Sequence, residues 1–144
     1  MKYPTRIDIP IENVKEVSST NEYLTHLCEK NKAQEFYTVI ADHQLEGKGQ
    51  RGNSWESESG KNLLFSIVLY PTALEANKQF YLSMLTAISI IDALSKYTDG
   101  FSIKWPNDIV VNDKKVCGIL SEMKLDKQRC AYCVVGVGMN IGQT

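Results

Sequence analysis

The stretch FSIKWPNDIVVNDKKVCGILSEMK, residues 101–124, decides the fold of this chain. It contains three runs of apolar and β-branched residues that predict β-strands, at residues 101–104, 109–111 and 115–124. The first two runs flank the sequence Trp105-Pro106-Asn107-Asp108, and the turn signal Asn112-Asp113 separates the last two. A further strand is predicted at residues 131–137, so this half of the chain is interpreted as an antiparallel meander.

Upstream of the meander, apolar periodicity predicts two helices and two strands. Residues 77–97 predict a long helix whose apolar stripe would pack on a sheet, namely Phe80, Met84, Leu85, Ile88, Ile91 and Leu94. Residues 22–32 predict a shorter helix, preceded by the N-cap candidates Ser18, Ser19, Thr20 and Asn21. Strands are predicted at residues 36–41 and 62–70. The order indicates an α+β domain with a mixed sheet and with the helices on one side of it.

Length, composition and charge exclude several classes of protein. A chain of 144 residues is enough for one domain with its own core. A net charge of -1 gives no general electrostatic reason to bind nucleic acid. No run of 18 apolar residues predicts a membrane span, and the first ten residues lack the apolar core of a secretory signal. We therefore expect a cytoplasmic protein with no nucleic-acid or membrane partner.

The four cysteines are expected to be reduced. Cys130 and Cys133 form a C-x-x-C, a spacing found in zinc and redox sites. Strand alternation would send these two side chains to opposite faces of the sheet, and no second pair or nearby histidine completes a metal site. The same structural role is predicted for Cys28 and Cys117.

Residues 44–61 predict a long functional loop, because 18 residues with four glycines and little apolar content are unusual in a compact domain. The sequence Gly47-Lys48-Gly49-Gln50-Arg51-Gly52 has the G-x-G-x-x-G spacing. A dinucleotide site would require a helix directly after it, and no helix is predicted there. The glycines let backbone N–H groups approach an anion, to which Lys48 and Arg51 add positive charge. Trp55 adds a large flat apolar surface to this loop. We therefore predict a lid that is mobile without ligand and becomes ordered when a ligand is bound. The alternative is a flexible surface loop.

The remaining polar segments favour charge stabilisation over covalent catalysis. Strand glycines indicate that backbone or a ligand approaches the sheet closely. They occur at Gly118, inside a predicted strand, and in Gly136-Val137-Gly138-Met139-Asn140, at a strand end. Ser66 lies inside a strand and lacks a nucleophile elbow, and His43 is not favoured as a catalytic residue. Cations, glycines and amides of this kind suit the stabilisation of phosphate and carboxylate charge.

In combination, these motifs resemble the catalytic domain of biotin protein ligases. The resemblance extends from about residue 16 to the end of the chain and rests on K-W-P-N-D, K-x-x-G-I-L and G-x-G-x-N, starting at Lys104, Lys115 and Gly136. It implies a mixed sheet with packed helices, related to class II aminoacyl-tRNA synthetases and lipoate ligases. It also implies an enzyme that uses ATP and Mg²⁺ to convert biotin to biotinyl-5′-AMP. The biotin is then attached to a lysine of a biotin carboxyl carrier protein.

The resemblance assigns roles residue by residue. The implied biotin-binding residues are Ser19, Thr20, Asn21, Gln44, Gly47, Lys48, Gly49, Gln50, Lys115 and Gly118. The residues implied at ATP or the adenylate are Arg51, Trp55, Asn107, Asp108, Gly138 and Asn140, with Asp108 as the candidate Mg²⁺ ligand. Lys115, Lys48 and Arg51 are the candidate catalytic residues, and Lys115 would lie at the biotin carboxylate. Family members usually have Gly-Arg-Gly-Arg in the loop, so Lys48 loses a bidentate fork and Gln50 loses a charge.

Two alternatives and the domain organisation stay open at this point. Family members continue past the position of Thr144 into the rest of the catalytic domain and a small C-terminal β-barrel. We therefore expect a shortened catalytic domain, without the helix-turn-helix domain that some relatives carry in front. A lipoate ligase is the nearest rival enzyme, but its usual R-R-x-S-G-G-G run is absent. A non-catalytic biotin-binding module is the other alternative, and a homodimer is possible in each case.

Overall fold

The structure is a computed structural model that describes residues 8–48, 54–55, 62–105 and 107–140. Two α-helices lie in these ranges, α1 (Thr20–Glu29) and α2 (Gln79–Leu94), and a 3-10 turn at Ala76–Lys78 precedes α2. The strands are β1 (Ile11–Val17), β2 (Thr38–Gln44), β3 (Gly47–Lys48), β4 (Ser54–Trp55), β5 (Asn62–Leu69), β6 (Phe101–Lys104), β7 (Asp108–Val111), β8 (Lys114–Asp126) and β9 (Arg129–Asn140). No described helix is both long enough and apolar enough to cross a membrane.

Seven strands form one mixed sheet in the order β1-β2-β5-β9-β8-β7-β6. β1 pairs with β2 in parallel, and every other neighbouring pair in this sheet is antiparallel. The predicted meander is confirmed as the run β6-β7-β8-β9, which occupies one half of the sheet. The predicted α+β class with a mixed sheet is confirmed as well, and β1 completes it as a parallel edge strand.

Two-residue turns set the register of the meander. Asn112 and Asp113, the predicted turn between β7 and β8, have φ angles of 51° and 63°. Lys127 and Gln128 connect β8 to β9 with φ angles of 51° and 70°. Two successive residues with positive φ are typical of the type I′ turn, whose twist matches that of the flanking strands.

The two helices lie on opposite faces of the sheet, so the expectation that both pack on one side is wrong. α1 packs against Val39, Val68 and Val134. α2 packs in a second core cluster with Val135 and Val137, which alternate with Val134 along β9. Neighbouring residues on a strand point to opposite faces. The sheet is therefore covered by one helix on each face.

The apolar stripe predicted for α2 is half wrong. Ile91 and Leu94 do pack against the core, as predicted. Phe80, Leu85 and Ile88 instead expose 45%, 60% and 55% of their surface, while the buried residues of α2 are Leu82, Ala87 and Ile90. Apolar residues surround this helix on most sides, so its sequence period alone does not identify the face that meets the sheet.

All four cysteines are free and buried, as expected. The predicted separation of Cys130 and Cys133 onto opposite faces is wrong, because both belong to the core cluster under α2. On β8, Lys124 pairs with Tyr132 and Leu125 with Cys130, which leaves Ala131 as an extra residue in β9. Such a β-bulge interrupts the alternation and turns the two side chains to the same side.

Candidate functional site

Three glycines of β8 and β9 present no side chain on the face of the sheet that carries α1. Gly118 pairs with Gly138, and Leu120 pairs with Gly136 in the next row of the same face. Residues directly opposite each other on antiparallel strands share a face. We call this surface, formed by Gly118, Gly136 and Gly138, the glycine floor. The absence of side chains at these positions lets other groups approach the sheet closely, as the strand glycines of the sequence indicate.

The N-terminus of α1 lies at the edge of the glycine floor. α1 starts at Thr20, two residues earlier than predicted, and Ser19 is its N-cap, whose Oγ accepts a hydrogen bond from Glu22 N at 3.2 Å. Ser19, Thr20 and Asn21 are all buried. From there α1 runs towards Val68 and Val134, so the row of Gly118 and Gly138 lies in front of its N-terminus. The partial positive charge of a helix N-terminus favours polar and anionic groups at such a place.

Thr20 and Gln44, two predicted ligand contacts, lie against each other although 24 residues separate them. Gln44 Oε1 accepts a hydrogen bond from Thr20 N at 2.7 Å and lies 3.0 Å from Thr20 Oγ1. The hydroxyl of Ser66, which is fully buried, lies 2.7 Å from Thr20 Oγ1. A hydroxyl and an amide thus converge at the edge of the glycine floor, as predicted for these two residues.

Asn21, a third predicted biotin contact, has its polar atoms engaged by the protein. Its Nδ2 donates to Glu122 Oε1 at 2.8 Å and to Leu120 O at 3.3 Å. Its Oδ1 accepts from Ser66 Oγ at 2.5 Å. A Cβ atom added to Gly136 would lie 2.9 Å from Asn21 Cγ, closer than real contacts allow. Gly136 therefore lets the start of α1 settle directly on β9.

Charged and amide side chains gather at the far end of the glycine floor. Lys115 Nζ lies 3.1 Å from Asp108 Oδ1, with side-chain exposures of 45% and 21%. Asp108 pairs with Gly118, and Asn140 Nδ2 donates to Lys115 O at 3.5 Å, the long limit for such a bond. Asn140 lies four residues beyond Gly136 along β9, a span of about 14 Å at ~3.4 Å per residue. Lys115, Asp108 and Asn140, all predicted site residues, are thus brought together.

Asn107 has a structural contact that the sequence did not predict. Its Nδ2 donates to Ile119 O at 2.7 Å, and Ile119 N donates back to Asn107 O at 3.0 Å. These two bonds hold the start of β7 against β8 and orient Asp108 next to the glycine floor. Trp105, two residues earlier, is largely exposed and lies edge-on to Phe80 of α2, with ring centroids 5.8 Å apart.

Most of the predicted lid lies outside the described residues. Gly47 and Lys48 pair with Trp55 and Ser54 as a short antiparallel ribbon, so the long segment is not structureless throughout. β4 begins at Ser54, two residues after Gly52. Gly49, Gln50, Arg51 and Gly52, the side chains of Lys48 and Trp55, and the predicted ordering of the lid fall outside the described residues.

Four polar residues near the site were not identified as site residues from the sequence. Ser66 and Glu122 contact Asn21, as described above; the signal for Ser66 was a lone hydroxyl within an apolar strand. Asn62 lies opposite Asn140 in register. Within the described part of the chain, the Asn62 amide and His43 Nδ1 are buried without a hydrogen-bond partner. Buried unsatisfied groups are uncommon in folded proteins, so these atoms favour a polar ligand nearby.

A cysteine nucleophile and a metal centre built from protein side chains alone find little support among the described residues of this site. Burial, with the negative charge of Asp108 as a second cause, raises the pKa of the Cys117 thiol to about 12. A thiol with that pKa is protonated at neutral pH and is a poor nucleophile. Over the described ranges, no three His, Cys, Asp or Glu side chains form a cluster that would hold a metal ion.

Comparisons with known proteins agree with this geometry. The sequence profile of the Biotin/lipoate A/B protein ligase family matches residues 14–140. The Bifunctional ligase/repressor BirA of Bacillus subtilis is 33% identical over 132 residues, which is 89% of this chain and 39% of that protein. This chain therefore spans well under half the length of that relative.

Solved structures give the same result. The biotin protein ligase from Aquifex aeolicus in complex with biotin and ATP superimposes with a TM-score of 0.78 and 34% identity, covering 93% of this chain and 53% of that one. The biotin acetyl coenzyme A carboxylase synthetase from Helicobacter pylori with bound biotinylated ATP has a TM-score of 0.76 and 25% identity, covering 92% and 61%. These matches confirm the synthetase-like fold.

Proposed function

This chain belongs to the Biotin/lipoate A/B protein ligase family, and on that premise we propose that it activates biotin with ATP and transfers it to a lysine of a biotin carboxyl carrier protein. The observation that carries the proposal is the placement of the Thr20–Gln44 pair and the Lys115–Asp108 pair at opposite ends of the glycine floor. The hydroxyl and amide at one end suit the polar ring of biotin, and the ammonium group at the other end suits its carboxylate.

The Thr20 end suits the ureido ring. A buried ureido group presents two N–H donors and one carbonyl acceptor, and hydroxyls and amides can serve both. Thr20 and Gln44 supply such groups 3.0 Å apart. Ser19 caps α1 and holds Thr20 at its first position. In the proposed complex Gly118, which carries no side chain, lets the alkyl chain of biotin approach the sheet closely, while Gly136 lets Asn21 and the start of α1 do so.

The Lys115 end suits the chemistry of adenylation. A carboxylate oxygen of biotin attacks the α-phosphorus of ATP, and pyrophosphate leaves with the electron pair of the broken P–O bond. Both reactants are anions that repel each other, so a fixed ammonium group between them stabilises the charge that develops. Lys115 would give up part of its contact with Asp108 to do this. Because the pair is partly exposed, breaking it costs little.

The proposed ATP contacts are Asn107, Asp108, Gly138 and Asn140, with Trp55 and Arg51 from the loop. Mg²⁺ typically binds one or two carboxylates together with substrate phosphates, and Asp108 supplies one carboxylate. The residues present therefore fit a Mg²⁺ ion that arrives with ATP, where it would offset phosphate charge. Lys48 and Arg51 are proposed to add positive charge, and the loop residues Gly47, Gly49 and Gln50 to cover biotin.

In the second half-reaction, the amine of a carrier lysine attacks the acyl carbon of biotinyl-5′-AMP, and AMP leaves. The proposed partner is a carboxyl carrier protein, such as a subunit of acetyl-CoA carboxylase. A reaction that consumes ATP favours a cytoplasmic location. A homodimer is compatible with this proposal but is not required by it.

The proposal is tested by pyrophosphate release. We expect release that requires both biotin and ATP, and little or none when lipoate replaces biotin. The assay is run on the 144-residue chain. Biotin binding without pyrophosphate release would favour a binding module instead of an enzyme.

A further inference from the structure

We propose that a second copy of this chain docks on the outer face of α2, which we define as Tyr81, Leu85 and Ile88. The two copies of α2 then form an antiparallel pair related by a two-fold axis. This assembly does not rest on the proposed function, because α2 and the glycine floor lie on opposite faces of the sheet. Failure of either proposal leaves the other standing.

The outer face lies on the side of α2 that points away from the sheet. The buried residues of this helix are Leu82, Ala87 and Ile90. At about 3.6 residues per turn, the three residues of the outer face fall on the opposite side of the helix. Their spacing of four and then three residues makes them neighbours along one stripe. Each of them exposes more than half of its surface, so this stripe has no cover within the described residues.

Aromatic side chains widen the outer face at its N-terminal end. The ring centroids of Phe80 and Tyr81 lie 4.3 Å apart, and Phe80 meets Trp105 edge-on with centroids 5.8 Å apart. Phe80 and Trp105 are about half exposed or more, like the outer face itself. Since a large aromatic side chain has ~150–250 Å² of surface, the patch exposes roughly 500 Å² per copy. Two such patches would bury about 1,000 Å² in total, the size at which a specific interface begins.

Opposite charges stand at equal distances from the middle of the outer face. Lys78 precedes Leu85 by seven residues, Asp92 follows it by seven, and both charged side chains are exposed. Lys78 Nζ lies 5.6 Å from the centre of the Tyr81 ring, which keeps its charge next to the outer face. In an antiparallel pair centred on Leu85, Lys78 of each copy faces Asp92 of the other. A parallel pair would place like charges together, so the charges select the antiparallel arrangement.

This pairing has the symmetry of a closed dimer. In a two-fold interface every contact occurs twice with the partners exchanged, so the Lys78–Asp92 pair forms at both ends. Leu85 meets the same residue of the second copy at the centre, and Tyr81 lies near Ile88 of the second copy. The net charge of -1 opposes self-association only weakly. The outer face therefore complements itself in both shape and charge.

Sedimentation equilibrium of the 144-residue chain tests the proposal directly. We expect a reversible dimer with a dissociation constant of about 1–100 μM at low salt, in keeping with an interface of this size. A chain that stays monomeric up to roughly millimolar concentration would leave the outer face to another occupant, and this result overturns the proposal.

Ile88→Glu and its matched control Ile11→Glu distinguish the outer face from nonspecific association. Both isoleucines are 55% exposed, but Ile11 lies on the edge strand β1, away from α2. Ile88→Glu should weaken the dimer at least roughly tenfold, because it places two carboxylates in an apolar interface. Ile11→Glu should leave the dissociation constant unchanged. Circular dichroism verifies that each variant is folded, and a folded Ile88→Glu variant that dimerises like the wild-type chain overturns the proposal.

Charge reversal at the ends of the outer face tests the antiparallel arrangement. Lys78→Glu or Asp92→Lys alone brings like charges together at both ends and should weaken the dimer roughly 3- to 10-fold. The double variant restores opposite charges, so its dissociation constant should return to within about two-fold of the wild-type value. High salt should remove these differences. A double variant that dimerises as weakly as the single variants overturns the proposal.

Discussion

Replacing Gly136 by alanine tests whether Asn21 holds the start of α1 directly on β9. The new Cβ atom would lie 2.9 Å from Asn21 Cγ and 3.0 Å from Asn21 Nδ2, and would overlap Oδ1. The Asn21 side chain is fixed by its contacts with Glu122, Leu120 and Ser66 and cannot simply rotate away. Either these hydrogen bonds break or α1 is pushed off the sheet.

Both routes give a similar magnitude. Three hydrogen bonds at about 1 kcal/mol each amount to a loss of about 3 kcal/mol. Overpacking of a well-packed contact costs about 1–3 kcal/mol. A loss of about 3 kcal/mol lowers the unfolding temperature of a domain of this size by roughly 6–12 °C. Because Thr20 lies next to Asn21 in α1, we expect biotin affinity to fall as well.

A double-mutant cycle shows whether the clash is with Asn21. Thermal and urea unfolding are measured for Gly136→Ala, Asn21→Ala and the double variant. If Asn21 is the obstacle, Asn21→Ala removes the clash that Gly136→Ala creates. The loss of unfolding free energy in the double variant should then be about 2 kcal/mol smaller than the sum of the two single losses.

The control for this cycle is Gly100→Ala. Gly100 has φ +93°, and a Cβ atom added there would meet no atom within 4 Å, so the cost of about 1 kcal/mol comes from backbone conformation alone. This substitution should add independently to the cost of Asn21→Ala. Full additivity of Gly136→Ala with Asn21→Ala would refute the assignment of the clash to Asn21.

Three further predictions concern the charges and thiols. Lys115→Ala should slow biotinyl-adenylate formation by about 10²–10³ in single-turnover assays, while Lys114→Ala stays near the wild-type rate; equal rates would remove Lys115 from the mechanism. Hydrogen bonds from two tyrosines lower the pKa of Glu12 below its ordinary 4.5, so its contribution to stability holds at neutral pH and is lost as pH falls through the lowered pKa. Urea titrations at a series of pH values measure the free energy of unfolding. Glu12→Gln should make this free energy fall less steeply at acid pH than in the wild-type chain, and an unchanged pH profile would count against the role of Glu12. Burial raises the pKa values of the Cys117 and Cys133 thiols to about 12. Intact mass spectrometry should therefore show no alkylation of either thiol by iodoacetamide at mildly alkaline pH until urea unfolds the chain. Rapid alkylation of the folded chain would contradict this.

The sequence predicted those parts of the site where a motif and a strand end coincide. The K-W-P-N-D and K-x-x-G-I-L motifs lie on neighbouring antiparallel strands, and this placement brings Asp108 next to Lys115, a contact that the motifs alone did not predict. The strand glycines predicted a close approach. What approaches Gly136 is Asn21 of the same chain, and one sequence without a structure does not reveal that partner.

The errors have physical causes that lie outside local sequence. An alternation rule does not anticipate the β-bulge at Ala131, because register is set by pairing with β8. The exposed face of α2, including Phe80, was assigned to the core because apolar residues surround the helix. Ser66 and Glu122 were not identified because their role depends on contacts with Asn21, which is 45 and 101 residues away.

The most direct measurement of the central claim is a pair of calorimetric titrations with biotin and with lipoate. Lipoate has the carboxylate and alkyl chain but no ureido ring, so it would cover Thr20 and Gln44 without using the hydrogen-bonding sites that these two residues have left over, at about 1–3 kcal/mol each. We expect saturable binding of biotin and at least roughly tenfold weaker binding of lipoate. Equal affinity for the two acids, or binding of lipoate alone, would contradict the proposed recognition of the ureido ring.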